Sequence, residues 1–179
     1  MKLQIFQDKV SPRRYLTLLK QKRVIPFLLM FAAFLLAYVL WPVMVLSITS
    51  EEGTVLLLPI DKEEEFSMIY THSVEKTDVE DVFMMNQQKE MVLIRTEYES
   101  FGAGLPTESY GDFRKVGKRY INDGINEVID SFNLRVGRVA NHRIRDSKGN
   151  TIELIQHFEA GDSARIEIKK VSRFETWQY

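Results

Sequence analysis

Four residues that lie close together in the chain have side chains that could do chemistry: His72, Ser73, Glu75 and Glu80. Serine, histidine and a carboxylate are the residue types of a nucleophilic triad, which requires the three groups to converge in space. His72 and Ser73 are neighbours, so on an extended strand they point to opposite faces and cannot form that relay with each other. We therefore predict no catalytic residue in this stretch.

A metal site is a second hypothesis for the same stretch. Imidazole and carboxylate groups bind zinc, and His72 could act together with Glu75 and Glu80. His142 or His157 could complete such a site from other parts of the chain. The chain does not show the close ligand spacing of known zinc motifs, so we predict neither a cofactor nor a bound metal. A small metal-dependent enzyme or sensor remains the alternative function.

A structural role explains these residues more simply. Buried polar groups need hydrogen-bond partners, and a short local cluster supplies them. We expect the His72 ring to be partly buried and to bond Glu75 or Glu80 where a strand leaves its sheet. Lys76 would then balance the charge of the carboxylates.

The elements that must position these residues are short β-strands. In residues 66–72 large and smaller side chains alternate, which is the pattern of a strand with one buried face. Asn86–Lys89 separates two further alternating segments, 79–85 and 91–98, which predicts a hairpin. Residues 107–128 are predicted to be mainly loop, and other strands are predicted at 54–60, 132–136, 138–145, 151–158 and 164–171. Seven or eight strands at this spacing predict an all-β sandwich or a barrel-like domain.

A long apolar stretch without any charge precedes these strands. Its apolar part, Val24–Ile48, would form a helix long enough to cross a hydrocarbon layer of about 30 Å. The stretch exceeds the apolar core of a cleaved signal peptide, and its end has no Ala-x-Ala pattern. We predict a transmembrane helix at residues 24–48 that is retained as a signal anchor in the cell membrane.

The charges on the two sides of this stretch predict its orientation. Residues 1–23 contain seven Lys and Arg residues and one Asp, a net charge of +6. The whole chain has a net charge of −1, so the remaining residues carry −7. Short basic segments stay in the cytoplasm. We predict a single-pass protein with a cytoplasmic segment at 1–23 and an extracytoplasmic β domain at 51–179.

Composition excludes several classes of function for the outer domain. Residues 51–179 are enough for one compact domain. The chain has no cysteine, so it has neither a disulfide bond nor a thiolate nucleophile. The domain is acidic and lacks a basic stripe, so we predict that it does not bind nucleic acid.

Three short runs of the sequence resemble one known bacterial family. The runs are YTHSVEK at residues 70–76, VE at 79–80 and FGAGLP at 101–106. Their combination resembles the family called domain of unknown function 1850, over about residues 54–170. The resemblance implies a domain of no settled biochemical activity, whose relatives are often encoded beside, or fused to, permeases of tripartite ATP-independent periplasmic (TRAP) transporters of the TAXI type. It therefore implies a transport-associated domain.

The loops that carry these runs are predicted to form a binding surface at one end of the domain. Backbone N–H groups of the two glycines could also bind an anion there. We predict a non-enzymatic accessory or binding module that contacts the lipid bilayer through its anchor and a TRAP permease or solute receptor through this surface. The candidate binding residues are Tyr70, His72, Ser73, Glu75, Lys76, Glu80, Phe101, Gly102, Gly104 and Pro106.

Overall fold

The computed structural model describes the backbone of residues 12–100 and 111–178, and the side chains of these residues from Val24 onward. The chain divides into two compact units, Met1–Trp41 and Pro42–Tyr179. The described part of the first unit contains one helix, α1 (Pro12–Val39), and the second unit contains the β-strands.

Helix α1 is formed by a sequence rich in Leu and Ala, which favour the helical backbone. From Val24 to Val39 the helix has no charged residue, and its large apolar side chains are exposed. Within the residues that the structure describes, no helix combines the length and apolar character that crossing a membrane requires.

The helix ends earlier than the sequence predicts. The prediction of a helix over 24–48 is wrong for its last part, because Pro42–Ser50 forms strand β1. Proline lacks a backbone N–H and interrupts a helix, and the β-branched residues Val43, Val45 and Ile48 suit a strand. An uninterrupted apolar run has no period that separates a buried strand from a helix. The β domain therefore begins at Pro42 and not at residue 51.

The described residues of the second unit form eleven strands in two antiparallel sheets, which confirms the predicted all-β class. The four-stranded sheet has the order β2-β1-β11-β8, and the seven-stranded sheet has the order β10-β9-β3-β4-β5-β7-β6. The strands are β1 (Pro42–Ser50), β2 (Gly53–Pro59), β3 (Glu65–Thr71), β4 (Asp78–Met85), β5 (Met91–Tyr98), β6 (Asp112–Val116), β7 (Arg119–Ile129), β8 (Ser131–Arg135), β9 (Arg143–Arg145), β10 (Thr151–Glu153) and β11 (Ser163–Ser172).

Eleven strands form in the described residues instead of the predicted seven or eight, because β1 lies in the predicted helix and β6 and β7 lie where a loop was predicted. Residues 107–128 were expected to be mainly loop, but β6 and most of β7 lie there. Gly117 has φ 62° in the tight turn between these strands, and Gly124 has φ 75° inside β7, so neither glycine ends the sheet. The predicted strands 138–145 and 151–158 are also shorter, since only β9 and β10 form within them.

The apolar core lies between the two sheets. The four-stranded sheet contributes Leu46, Ile48 and Ile166, which are almost fully buried. Phe83 of the seven-stranded sheet is stacked between Phe66 and Phe132, with ring centroids 5.2 Å apart on both sides. Phe132 belongs to β8 of the four-stranded sheet, and we call the face of the seven-stranded sheet that carries Phe66 and Phe83 its inner face.

Candidate functional site

A six-residue loop joins β3 to β4 and carries most of the first sequence run. We call residues 72–77 the signature loop. The His72 N–H donates to the Thr77 carbonyl (2.8 Å), and the Lys76 N–H donates to the His72 carbonyl (3.0 Å). The His72 ring also holds the loop, because its Nδ1 accepts the N–H groups of Val74 (3.3 Å) and Glu75 (3.2 Å). His72 therefore positions the loop backbone.

The signature loop is bonded to the segment that leads into the third sequence run. The Ser100 hydroxyl donates to Glu75 Oε2 at 2.6 Å, and Ser100 directly precedes Phe101. The predicted binding residues Phe101, Gly102, Gly104 and Pro106 lie outside the described residues. Ser73, Val74 and Lys76 are exposed, and Val74 at the loop tip is 68% exposed.

The other side of the loop is fixed by the strand that ends beside it. The Thr71 N–H donates to the Ala140 carbonyl (2.7 Å), and the Thr71 hydroxyl donates to Asp78 (2.9 Å). Arg143 donates to the same carboxylate at 2.6 Å. Burial alone would raise the pKa of Asp78, but the hydrogen bonds from Arg143 and Thr71 hold it below its ordinary value. The bonds of Asp78 to Thr71 and Arg143 therefore fix the two strand ends that the loop joins.

Glu80 does not join the signature loop. In the strand register Tyr70 faces Val79, so Tyr70 is on the inner face and Glu80 is on the opposite, outer face. The Glu80 carboxylate is 2.7 Å from Arg145 and 3.8 Å from Arg119. The expectation that the His72 ring is partly buried and bonds Glu75 or Glu80 is confirmed for Glu75, whose backbone N–H donates to the ring. The carboxylates themselves bind other partners, Ser100 for Glu75 and Arg145 for Glu80.

The histidines that could have completed a metal site lie elsewhere. The His142 ring packs beside Tyr70 at a centroid distance of 6.2 Å, and burial lowers the pKa of His142. His157 lines a separate cleft of about 750 Å³ together with Arg135 and Asp162. In residues 12–100 and 111–178, no group of three or more His, Asp or Glu side chains could hold a metal ion.

A row of polar side chains that the sequence analysis missed crosses the inner face. Asp81, Thr96 and Asn122 lie side by side on β4, β5 and β7. The Thr96 hydroxyl donates to Asp81 at 2.8 Å, and the buried Asn122 Oδ1 has no hydrogen-bond partner among the residues that the structure describes. Burial raises the pKa of Asp81, while burial and the nearby Asp81 raise the pKa of Tyr70 to about 12. The sequence signal for this row was Asp81, a carboxyl group on the same face of β4 as Val79.

The buried carboxyl group of Asp81 predicts a pH-dependent stability. Because its folded-state pKa is raised, its contribution to stability is complete below the unfolded value of about 3.8 and is lost as pH rises through the folded pKa. Asp81→Asn keeps an acceptor for the Thr96 hydroxyl and removes the charge. We expect this variant to be more stable than the wild type at pH 7, with a difference that disappears toward pH 3.8.

Denaturant unfolding of the full chain at several pH values measures this difference. Asp130→Asn is the matched control, because Asp130 is exposed at the end of β7 and should give a nearly constant difference. An Asp81→Asn variant that is less stable than the wild type at pH 7 would contradict the prediction.

The geometry so far defines a small all-β domain with a tightly bonded loop at one end of its larger sheet. A family model described as "domain of unknown function (DUF1850)" matches residues 66–154, from β3 to Leu154. The chain therefore belongs to this family through that segment, which confirms the resemblance over a shorter span than residues 54–170. The comparisons with curated proteins and with solved structures found no significant match.

Proposed function

We propose that this chain is a membrane-attached, non-enzymatic binding module that docks on a component of a TRAP transporter outside the cytoplasm. The observation that carries the proposal is the signature loop, whose polar groups hold an exposed apolar tip in place. The transporter as partner follows from the family resemblance, and the loop supplies the surface that would contact it.

The bonding of the signature loop favours recognition over catalysis. Five hydrogen bonds within the loop and to Ser100 engage His72 and Glu75, the two residues of the first run with the most reactive side chains. The tip that remains for a partner is Val74. A loop that is already ordered loses less conformational entropy when it binds, so more of its contact energy becomes affinity. The arrangement suits binding of a partner protein by an exposed apolar side chain.

The sequence before Pro42 supports attachment to the membrane. Helix α1 has 28 residues and is therefore about 42 Å long. The chain from Val24 to Trp41 has no charged residue, and basic residues precede it, which favours an amino terminus in the cytoplasm. Long basic side chains at a helix end can extend to the headgroups and so lengthen the span that a short apolar segment covers. We propose that this segment is a single-pass anchor.

With such an anchor, a weak interface would be sufficient for binding to a partner in the same membrane. A tether to the same membrane raises the effective concentration of the module near a membrane partner. A contact centred on one loop could then be occupied without a large buried area. This is consistent with a small accessory module whose partner is a permease or a solute receptor held at the membrane.

Site-specific photo-crosslinking in cells tests the proposal. A photoreactive amino acid replaces Val74 in the full chain, which is co-expressed with a tagged TAXI-type TRAP permease and its solute receptor. We expect a crosslinked product with one of them, because Val74 is at the centre of the proposed contact. The matched control replaces Val128, a valine of β7 that is 51% exposed and distant in register from the signature loop.

Three results would count against the proposal. The absence of a product from position 74 would contradict docking through the loop. Equal products from positions 74 and 128 would show contact without specificity for the loop. Protease can also be applied only to the cytoplasmic side of the membrane. If it digested the β domain and left the amino terminus intact, that result would contradict the proposed orientation.

A further inference from the structure

Two large aromatic side chains are exposed near the carboxyl end of the chain. Phe174 is 48% exposed and Trp177 is 62% exposed. Phe174 directly precedes the short 3₁₀ helix Glu175–Trp177 and Trp177 ends it, and this helix packs against β2 and β11. We call these two residues the aromatic patch. It is separate from the signature loop and has no part in the proposed contact with a transporter.

The aromatic patch is held outward by an ordered turn. The Ser172 hydroxyl and N–H donate to Glu175 Oε1 at 2.8 and 2.9 Å. The Thr176 hydroxyl donates to the Arg173 carbonyl (2.8 Å), and the Trp177 N–H donates to the Phe174 carbonyl (3.2 Å). These bonds satisfy the polar groups of the turn, so the exposure of its rings does not result from a frayed chain end.

The turn lies at the end of the β domain where the chain enters it. Pro42, the first residue of the second unit, pairs with Ser172 at the end of β11. Phe174 follows Ser172 by two residues, at most about 7 Å of extended chain. Trp41 precedes Pro42 by one residue and is the last residue of the first unit, in which Val24 begins the uncharged apolar sequence. The aromatic patch is therefore close to the point where the proposed anchor would leave the lipid.

We propose that the aromatic patch contacts the headgroup layer of the membrane. This inference rests on the proposed membrane attachment and extends it from the anchor to the β domain. Trp and other aromatic rings are favoured at the boundary between hydrocarbon and water, where the apolar ring body and a polar edge are both accommodated. The headgroup layer is about 5–8 Å thick on each side of the bilayer. Phe174 lies within about 7 Å of extended chain from Ser172, the residue that pairs with Pro42.

Lipid fits this surface better than a second copy of the chain. The patch has two rings on one short turn, which is a small area for a stable protein interface. Its position beside the first residue of β1 places it where the covalent connection to the apolar segment already requires lipid nearby. Contact with the membrane would fix the β domain at two points, the anchor and the patch.

The two tryptophans of the chain allow the anchor and the patch to be tested separately. Trp41→Phe leaves Trp177 as the reporter of the patch, and Trp177→Phe leaves Trp41 as the reporter of the anchor. Each full-length variant is reconstituted in vesicles of phosphatidylcholine and phosphatidylglycerol, with or without brominated acyl chains, which quench nearby tryptophan. We expect both reporters to lose emission intensity in brominated vesicles.

A third reporter serves as the matched control. Glu51 is exposed in the turn at the other end of β1, about 30 Å from Pro42 along the chain. Glu51→Trp in a chain without Trp41 and Trp177 should keep its emission in brominated vesicles. All three variants replace or introduce exposed aromatic rings, and circular dichroism checks that each retains the β fold.

The outcomes separate the two proposals. Quenching of Trp41 without quenching of Trp177 overturns the lipid contact of the patch and leaves the anchor supported. Shielding of Trp177 from aqueous acrylamide without lipid quenching indicates a protein partner, such as a second copy, and overturns the inference. Equal quenching at positions 51 and 177 also overturns it. An unquenched Trp41 contradicts the membrane attachment itself.

Discussion

Phe83→Ala should lower the free energy of unfolding by about 3–5 kcal/mol, the largest loss that we expect from one substitution in this domain. Phe83 is 4% exposed, and its ring stacks on Phe66 and on Phe132 at 5.2 Å on each side. Truncation would remove the middle ring of three and leave a cavity between the two sheets. Because domains of this size have a net stability of about 5–15 kcal/mol, the variant would lose a large part of the total.

Chemical denaturation of the full chain in detergent, followed by near-ultraviolet circular dichroism, measures this loss. Phe83→Leu is the matched control, since it keeps most of the buried volume and should cost about 1–2 kcal/mol. If both variants unfold at the wild-type midpoint, Phe83 does not support the core and the packing of the two sheets must differ from that described.

The second large effect is expected on the outer face of the seven-stranded sheet. Arg145→Ala should cost about 2–3 kcal/mol, because it removes the closest partner of a carboxylate that has little access to water. Arg145 lies 2.7 Å from Glu80, whose side chain is 9% exposed. Arg119 remains at 3.8 Å and keeps part of the compensation, so the loss stays below that of a fully isolated buried charge.

An ion pair of nearly the same length provides the control for burial. Arg114 lies 2.8 Å from Asp123, but the Asp123 side chain is 32% exposed. Arg114→Ala should therefore cost about 0–1 kcal/mol, as is usual for pairs that water screens. The same unfolding experiment compares the two variants. Equal losses would mean that burial of Glu80 does not determine the strength of its ion pair.

The parts of the fold that the sequence predicted are those where one face of a strand is buried. β4 places Val79, Phe83 and Met85 on one face, at odd positions two or four residues apart, so a period of two is visible in the sequence. The boundary between α1 and β1 was missed because residues 24–48 are apolar throughout and carry no period. β7 was missed for the opposite reason: polar residues and a glycine interrupt its apolar residues, and only Asn122 is fully buried. Its pairing with β5 and β6 forms it.

The sequence predicted where the candidate site lies but not the hydrogen bonds and ion pairs of its residues. The signature loop lies between two strands whose ends the sequence indicated, so the place of His72 and Glu75 followed directly. The partner of Glu80 comes from β9, 65 residues further along the chain, and no local pattern indicates that pairing. The Asp81–Thr96–Asn122 row also depends on strand register, which short alternating segments leave open.

The pairing of β1 with β11 has a consequence for the order of folding. β1 is the first strand of the chain and β11 is the last, and Pro42 pairs with Ser172. β1 also lies in the interior of its sheet, between β2 and β11. During synthesis β1 therefore cannot pair with β11, one of its two neighbouring strands, until almost the whole chain has been made. Long-range pairing of this kind slows folding and leaves strand edges open to aggregation until the last strand arrives.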